Sequence, residues 1–439
     1  MAIRIFKLLS LMSAWVVVAF TQGSPADLSM EQRAWVASKL YASVQMFNAH
    51  GEGSPDFDLD REYKAFLGAA LSAADRRGFD LAAMKFVGGL RNGHSSFSDE
   101  WLFRQYGQPL GFTLQPMAEG WVVTSSQIPE LNPGDIVANV DDKSIDAFYA
   151  EHDGLLEGSS EATRRRRFAS QSYLWPEKFV LSLKNGKQVQ IDRREQKLGS
   201  IKSFPFPQGE VETPAGVAFV RIQSFGDLER ETALVKRIGE LSAARAIVID
   251  VRGNGGGSTP TRLIAALMNR PWRGFVTTTP IHVALTGAQS QARKLFPAVN
   301  ANAYYRGYFD AHDEMTPAEL RMIGTRQVPL AGAYSGKVVL LADGYCNSAC
   351  EDFLVPFKTS GRGILVGETT NGSSGQPYYY DFGNGMAFRV STKRYYMPDG
   401  SVFEGVGIKP DVEVRPSVDD WRAGRDPVLV KALEVAAAR

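Results

Sequence analysis

Apolar residues in the first part of the chain recur at the three- and four-residue spacing of amphipathic helices. This spacing predicts helices in MEQRAWVASKLYASVQMF, REYKAFLGAALSAADRR and DLAAMKFVGGL. Turn residues throughout GEGSPDFDLD predict a loop between the first two. We therefore expect a helical region over residues 27–106, whose helices give way to the polar segment RNGHSSFSD.

The pattern changes after residue 107 to short apolar runs separated by turns. GFTLQP, GWVVTSS and DIVANVDD read as strands, and NPGD is a turn sequence. KFVLSLKNGKQVQIDRR predicts a β-hairpin with Asn185 and Gly186 at its tip. Residues 107–200 are accordingly predicted to form a small β-rich domain.

From residue 201 onward, apolar strands alternate with helical segments. Strands are predicted in GVAFVRI, AIVIDV, KVVLLAD, GILVGE and FRVSTKRYY, and helices in TPTRLIAALMNR and in residues 349–360. This alternation is typical of an α/β layer in which both faces of the sheet are buried. The fold class predicted for residues 201–439 is therefore α/β.

Length and charge narrow the class of protein. A chain of 439 residues is too long to form a single ordinary hydrophobic core, so two or three domains are expected. The formal net charge of +1 gives no reason to expect a nucleic acid as a partner. The run TRRRRF, which contains Arg164 to Arg167, is interpreted as a solvated face, because no nucleic-acid module accompanies it.

The N-terminus has the pattern of a signal peptide over residues 1–26. Arg4 and Lys7 precede the apolar run LLSLMSAWVVVAF, which is short for a membrane span, and small residues follow. Cleavage is expected after Gly23 or Ala26. We expect an exported protein, periplasmic or extracellular, and an uncleaved anchor is the alternative and the only membrane contact expected.

The two cysteines, Cys346 and Cys350, would then lie in an oxidising compartment. They are four residues apart at a predicted helix start, where a disulfide would need distorted geometry. Small core-filling thiols are therefore favoured, and a disulfide stays open.

The segment YCNSACED carries the first candidate for chemistry. A strand, a tight turn and a helix that begins near Ser348 would place its hydroxyl at a helix N-terminus. Unpaired amides there, that of Ala349 among them, would stabilise a developing oxyanion. The alternative is that Ser348 only caps the helix.

A glycine-rich loop follows another predicted strand, in AIVIDVRGNGGGSTP. The backbone amides of Gly255 and Gly256 would approach a ligand closely, because glycine has no side chain to obstruct it. The loop lacks the lysine of a phosphate-binding P-loop. It is interpreted as an oxyanion hole, with a flexible turn as the alternative.

Two further residues complete a candidate hydrolytic site. His94 lies in the polar loop GLRNGHSSF and would serve as the base for a serine, unless it is structural. Glu404 lies between turns in PDGSVFEGVGIKPDVEV and would orient an imidazole, unless it is a solvated loop acid. No metal-binding spacing is present, so neither a metal nor another cofactor is expected.

Together these segments resemble the C-terminal-processing (tail-specific) serine peptidases and their tricorn-core and retinoid-binding-protein-like relatives. The resemblance covers nearly the whole chain after residue 26. The segments that carry it, in the order of the family, are GHSS, ELNPGDIVANVDDKSI, IDVRGNGGG, YCNSACED, VGETTNGSSGQ and PDGSVFEGVGIKPDVEV. It implies a ClpP/crotonase-like α/β catalytic domain over residues 201–439, a PDZ-like domain over 107–200, and Ser348 as nucleophile.

One departure from the family bears on mechanism. The tail-specific branch has a general-base lysine where this chain has Ser373, and Lys358 is about three helical turns from Ser348, which is too far. The tricorn-like branch uses a histidine and a glutamate, at positions matched by His94 and Glu404. Because Gly93 replaces its relay serine, Ser95, Ser96 or Ser373 would supply that hydroxyl.

The resemblance implies a serine endopeptidase that acts on peptides or proteins, through an acyl-enzyme. The PDZ-like domain would bind the C-terminus of a substrate by strand addition, or serve as a scaffold. The alternatives from other classes are a non-catalytic protein that binds a peptide or an apolar ligand, and an esterase-type acyl hydrolase. The sequence does not determine the oligomeric state.

Overall fold

The structure is a computed structural model that describes residues 27–51, 56–205, 211–226, 228–280, 314–315, 319–323 and 326–438. The predicted signal peptide, residues 1–26, lies outside the described residues.

Three helices open the described chain, each with a polar side chain capping its first turn. They are α1 (Met30–Phe47), α2 (Leu59–Ser72) and α3 (Arg76–Gly88). The first and third predicted segments form helices, but REYKAFLGAALSAADRR is interrupted at residues 73–75, where α2 ends and Asp75 caps the start of α3. A strand, β1 (Ser96–Asp99), and a short helix, α4 (Glu100–Tyr106), follow.

The next region is a mainly antiparallel sheet, as its alternating pattern predicted. Its strands are β2 (Phe112–Met117), β3 (Gly120–Ser126), β4 (Ile136–Val140), β5 (Lys143–Ser144), β6 (Lys178–Leu183), β7 (Gln188–Asp192) and β8 (Lys202–Ser203), with the main order β2-β3-β4-β6-β7. Two helices, α5 (Ile145–His152) and α6 (Glu161–Phe168), lie between β5 and β6. Trp121, Phe168 and Trp175 are buried in the aromatic core that joins these helices to the sheet.

The last region contains the remaining described elements. Its strands are β9 (Val217–Arg221), β10 (Ala246–Asp250), β11 (Val276–Pro280), β12 (Glu314–Met315), β13 (Glu319–Ile323), β14 (Lys337–Ala342), β15 (Gly363–Gly367), β16 (Pro377–Asp381), β17 (Met386–Ser391), β18 (Arg394–Tyr396) and β19 (Val412–Glu413). Its helices are α7 (Leu228–Glu240), α8 (Thr261–Leu267), α9 (Ala349–Ser360), α10 (Val418–Arg422) and α11 (Pro427–Ala437).

A parallel sheet of order β19-β15-β14-β10-β9 is the centre of this region. On β10, Ile247 and Ile249 face a core shared with α8 and α9, while Ala246 and Val248 face a core shared with α11. All five residues of β10 are buried. The prediction of an α/β layer with strands buried on both faces is confirmed.

Two segments differ from their predictions because their pairing partners are distant in sequence. RNGHSSFSD is not irregular throughout, since β1 pairs antiparallel with β17. FRVSTKRYY is not one strand, because β17 pairs with β1 and β16 whereas β18 pairs with β11 in another sheet. The chain leaves the first sheet at Thr392 and Lys393, which are both buried. These pairings bring the end of the helical region against the α/β region.

Within the described ranges, none of the helices combines the length and the apolar character needed to cross a membrane.

Candidate active site

Ser348 lies at the sharp turn between strand β14 and helix α9. Its backbone adopts φ 56° and ψ −123°, a conformation that residues other than glycine rarely adopt and that costs about 1–3 kcal/mol. Its N–H donates to the carbonyl oxygen of Ser373 at 3.0 Å. The turn holds the partly buried Ser348 at the N-terminus of α9, where its hydroxyl meets residues from elsewhere in the chain.

His94 reaches this hydroxyl from the loop between α3 and β1. Its Nε2 is 3.1 Å from Ser348 Oγ, and its Nδ1 is 3.0 Å from Ser373 Oγ. The imidazole is therefore held between two hydroxyl groups. It is 7% exposed, and a Cβ added to Gly375 would lie 3.1 Å from its Cγ, so this glycine permits the close packing.

Glu404 extends the chain of contacts beyond Ser373. Its Oε1 accepts a hydrogen bond from Ser373 Oγ at 2.9 Å, from Asn92 Nδ2 at 2.7 Å, and from Ser159 Oγ. Ser348, His94, Ser373 and Glu404 thus form one continuous series of hydrogen bonds. Those four candidates from the sequence lie together, although the sequence left the relay position open.

The other two candidate relay hydroxyls make different contacts. Ser95 Oγ lies 3.3 Å from Asn92 Oδ1 and accepts a hydrogen bond from the Ser391 N–H. Ser96 Oγ accepts a hydrogen bond from Arg389 Nε at 3.0 Å. Of the three serines, Ser373 is the one that these contacts put between His94 and Glu404.

Gly93 leaves room for this arrangement. A Cβ added at residue 93 would lie 2.7 Å from Ser373 Oγ and 3.0 Å from Ser373 Cβ. A side chain at residue 93 would therefore displace the hydroxyl that contacts His94.

Burial shifts the protonation of the two titratable groups in opposite directions. It lowers the pKa of His94 well below its usual value, and the positive charges of Arg389 and Arg167 lower it further. Burial raises the pKa of Glu404 to about 7, although hydrogen bonds from Ser159 and Ser373 oppose the shift. The neutral imidazole, which is the form able to accept a proton, is therefore favoured at neutral pH.

The glycine-rich loop lies against the Ser348 turn. Gly256 has φ 103°, and a Cβ there would lie 2.8 Å from Ser348 Cβ and 3.0 Å from Ala349 N. Its own N–H donates to Asn254 Oδ1 at 2.9 Å. Gly255 is exposed and has open space where a side chain would be. The loop thus brings backbone close to Ser348, while the Gly256 amide already has an acceptor.

Both cysteines are free and fully buried. The Cys346 Sγ lies 3.1 Å from the Val251 carbonyl oxygen, and Cys350 Sγ lies 3.8 Å from the same atom. Burial raises the pKa of both thiols. They fill the core beneath the Ser348 turn, as predicted for small apolar thiols.

The arginine run on α6 is not the solvated face that the sequence suggested. All four side chains are partly buried, and each has a partner in the fold, because α6 lies between the β-rich sheet and the candidate site. Arg167 Nη2 donates to the Gly93 carbonyl oxygen at 3.1 Å and also pairs with Glu157. Arg166 Nη2 donates to Asn371 Oδ1 at 3.3 Å.

Sequence reasoning missed two residues that hold this site. Asn92 donates to Glu404, and its Oδ1 accepts from the His94 N–H at 2.8 Å. Its place in the same polar loop as His94 was a usable signal. Ser159 donates to Glu404 and accepts from the Gly93 N–H at 3.2 Å. It belongs to the β-rich region, and nothing in its local sequence indicated this contact.

Lys358 is in the last turn of α9, where it pairs with Asp411. Its ammonium group is therefore paired with Asp411 and does not act on Ser348, as its distance of about three helical turns predicted.

Comparison with known proteins identifies a family for the α/β region. Residues 216–414 match the model of peptidase family S41. A chloroplastic C-terminal processing peptidase from Tetradesmus obliquus is 25% identical over 221 residues, which are 50% of this chain and 39% of the relative. A carboxy-terminal-processing protease from Bartonella bacilliformis is 27% identical over 92 residues, 21% of each protein. These alignments span less than half the length of either relative.

A solved structure shares the fold over most of the chain. The structure of mature CPAF complexed with lactacystin superposes with a TM-score of 0.67, covers 92% of this chain and 98% of that protein, and is 15% identical in sequence. At this identity the likeness concerns the fold. The family model and the names of the two relatives support placing the α/β region, residues 216–414, in peptidase family S41, a family of serine peptidases.

Proposed function

We propose that the chain is an endopeptidase that hydrolyses peptide bonds through an acyl-enzyme on Ser348, with His94 as general base. The observation that carries the proposal is the 3.1 Å separation of His94 Nε2 and Ser348 Oγ, two residues 254 positions apart in the chain. A neutral histidine at this distance is able to remove the proton of a serine hydroxyl as it attacks.

In the first step, Ser348 Oγ attacks the carbonyl carbon of a peptide while its proton passes to His94 Nε2. The imidazolium that results donates from Nδ1 to Ser373 Oγ, and Ser373 in turn donates to Glu404 Oε1. The carboxylate thereby stabilises the imidazolium through one hydroxyl and keeps the imidazole in the tautomer with its proton on Nδ1. His94 then gives its Nε2 proton to the leaving amine, and water releases the acyl group by the reverse sequence.

The oxyanion of the tetrahedral intermediate would be bound by backbone amides. The N–H of Ala349, at the first position of α9, and that of Gly255 in the glycine-rich loop are the proposed donors, each worth about 3 kcal/mol in the transition state. Gly256 would act as a donor only if its N–H left Asn254 Oδ1, so its main contribution is to allow the close approach of the loop.

A histidine base agrees with the Ser–His branch of the family, to which we assign the chain. Ser373 stands where the Ser–Lys branch has its lysine, and its hydroxyl contacts the histidine. In this proposal the same position that supplies the base in one branch supplies a relay in the other.

The relatives are named for the processing of C-termini, and this suggests a peptide or protein substrate recognised at its C-terminal end. The β-rich region, which we interpret as a PDZ-like domain over residues 107–200, would receive that end by strand addition. The catalytic domain would then comprise residues 201–439, and the helical region 27–106 would contribute its base. We further propose export through the signal segment over residues 1–26.

Replacement of Ser348 by alanine tests the proposal. We expect Ser348→Ala to remove peptide hydrolysis to background while the thermal unfolding midpoint stays unchanged. Ser360→Ala, at the other end of α9, is the matched control and should retain full activity. Peptide and ester libraries, together with labelling by a serine-directed phosphonate, complete the measurement.

Three results would contradict the proposal in different ways. Full hydrolysis by Ser348→Ala would assign the nucleophile elsewhere. Absence of phosphonate labelling and of turnover in the folded wild type would favour a binding protein. Turnover of esters without any peptide would favour an esterase-type hydrolase.

A further inference from the structure

Glu351 is a buried carboxylate close to the nucleophile, and the mechanism above gives it no role. It is the third residue of α9 and has no exposed surface. A carboxylate removed from water in this way is costly unless hydrogen-bond donors surround it. Its surroundings therefore indicate what it holds in place.

Four donors converge on the two oxygens of this carboxylate. Oε1 accepts from the Thr370 hydroxyl and from the Gly372 N–H at 2.7 Å. Oε2 accepts from the Ser373 N–H at 3.0 Å and from the Ser348 N–H at 3.3 Å. The Ser348 N–H is shared, because it also donates to the Ser373 carbonyl oxygen at 3.0 Å. The backbone amides of the proposed nucleophile and of the proposed relay serine thus meet at Oε2 of Glu351.

This arrangement requires a carboxylate rather than an amide of the same shape. Burial raises the pKa of Glu351 to about 8, while the hydrogen bonds from Thr370, Gly372 and Ser373 lower it, so it is these donors that favour the ionised form. An ionised glutamate offers two oxygens that only accept, whereas a glutamine replaces one of them with a donor. With glutamine, one pair of N–H or O–H groups would face an NH₂ group. The side chain would still fill the space, but half of its contacts would be lost.

The geometry of the base depends on the same two amides. His94 lies between Ser348 Oγ and Ser373 Oγ, at 3.1 Å and 3.0 Å. A shift of either backbone segment would therefore lengthen one of these hydrogen bonds. Ser348 also has an unfavourable φ of 56°, so its turn needs external contacts to keep it in place.

We propose that Glu351 is a positioning residue that fixes the spacing between the Ser348 turn and the Ser373 loop, and so aligns His94 with both hydroxyls. This inference rests on the proposed function, because it assumes that Ser348 and His94 act in catalysis. Glu351 itself touches neither the substrate nor the reacting atoms in this scheme.

The test compares the kinetics of Glu351→Gln with those of Asp352→Asn. We expect Glu351→Gln to lower kcat on the order of 100-fold, since a displacement of about 1 Å in the reacting groups has effects of that size. KM should stay within about twofold, because the substrate contacts are not altered. Asp352→Asn makes the same chemical change on the next residue, whose carboxylate accepts from the hydroxyls of Thr259 and Ser374. It should leave kcat nearly unchanged.

A second variant covers the case in which Glu351→Gln does not fold. Glu351→Asp keeps the charge but withdraws the carboxylate by roughly 1.5 Å, the length of one carbon–carbon bond. We expect it to lower kcat with little change in KM. Thermal unfolding of each variant shows whether the protein assayed is folded.

The outcomes separate this inference from the proposed function. If a folded Glu351→Gln or Glu351→Asp retains kcat within about twofold while Ser348→Ala is inactive, the positioning role is wrong and the proposed function stands. If Ser348→Ala is itself fully active, the proposed function is wrong. A rise in KM with unchanged kcat would also overturn the positioning role.

Discussion

Two buried carboxyl groups, Glu404 in the candidate active site and Asp80 in the helical region, show two ways in which this fold treats an acid removed from water. Glu404 accepts three hydrogen bonds on one oxygen, and burial raises its pKa to about 7. Asp80 is fully buried, and in the part of the chain that the structure describes neither of its oxygens receives a hydrogen bond from a donor.

The neighbours of Asp80 explain the difference. Arg76, the nearby cation, is bound to Asp99 through two hydrogen bonds of 2.7 Å and 2.9 Å, and both side chains are fully buried. Burial and the negative charge of Asp99 raise the pKa of Asp80, and so does the hydrogen bond that its protonated carboxyl makes with Asp99. Asp80 is therefore kept as a neutral acid, whereas Glu404 has donors that support its charge. Hydrogen-bond donors, rather than the extent of burial, therefore decide whether a buried acid is able to carry a negative charge that stabilises a neighbouring cation.

The largest effect is expected when His94, the group that Glu404 would stabilise, is replaced. We predict that His94→Gln lowers kcat by about 10³-fold, because the general base is lost. His152→Gln, on α5, is the control and should have normal kinetics. The measurement is the steady-state rate on a peptide substrate. If His94→Gln has the wild-type kcat, His94 is not the general base, and Glu404 then has no imidazolium to stabilise.

A smaller effect is expected when only the link between His94 and Glu404 is cut. We predict that Ser373→Ala lowers kcat roughly 100-fold, because the imidazolium loses its hydrogen-bonded connection to the carboxylate. Ser374→Ala is the adjacent control, and its backbone N–H is retained. If Ser373→Ala is normal while Glu404→Gln is inactive, Glu404 acts through another path.

The smallest effect concerns stability alone. Because the pKa of Asp80 is raised, the folded protein keeps the Asp80 proton, whereas the unfolded chain loses it above about pH 4. The free energy of unfolding of the wild type therefore falls as the pH rises from about 4 toward the pKa of Asp80 in the folded protein. Asp80→Asn lacks this dependence. We predict that at pH 8 it unfolds with a free energy about 1–3 kcal/mol higher than that of the wild type, with unchanged kcat.

Denaturant unfolding at pH 5 and pH 8 checks this prediction. The advantage of Asp80→Asn should be larger at pH 8. The exposed Asp419→Asn should show no such trend. A variant less stable than the wild type at pH 8 would mean that a donor stabilises the ionised Asp80 carboxylate, and the contrast with Glu404 would fail.

Local sequence was sufficient for the parts of the fold that depend on local patterns. The helices of the first region and the parallel sheet of the last region can be predicted from the spacing of apolar residues. Each of these elements is amphipathic or wholly apolar over its own length. The division of FRVSTKRYY between two sheets could not be predicted, because it depends on strands β1 and β11, which are far away in sequence.

The candidate site shows the same limit. The composition of the loops singled out Ser348, His94 and Glu404, but the choice of Ser373 as the connecting hydroxyl depends on three loops meeting. Ser159 and Arg167 reach the site only because helix α6 lies against it. Glu351 is only three residues after Ser348, yet three of its four hydrogen-bond donors come from another loop.

Gly93 carries a consequence for sequence variation. A β-carbon at residue 93 and an oxygen at residue 373 would compete for one small volume, with 2.7 Å between them. Substitutions at the two positions should therefore be tolerated in pairs rather than singly. A chain with serine at residue 93 would need a smaller side chain at residue 373. The hydroxyl group beside the imidazole would then come from residue 93 or from residue 373, but not from both.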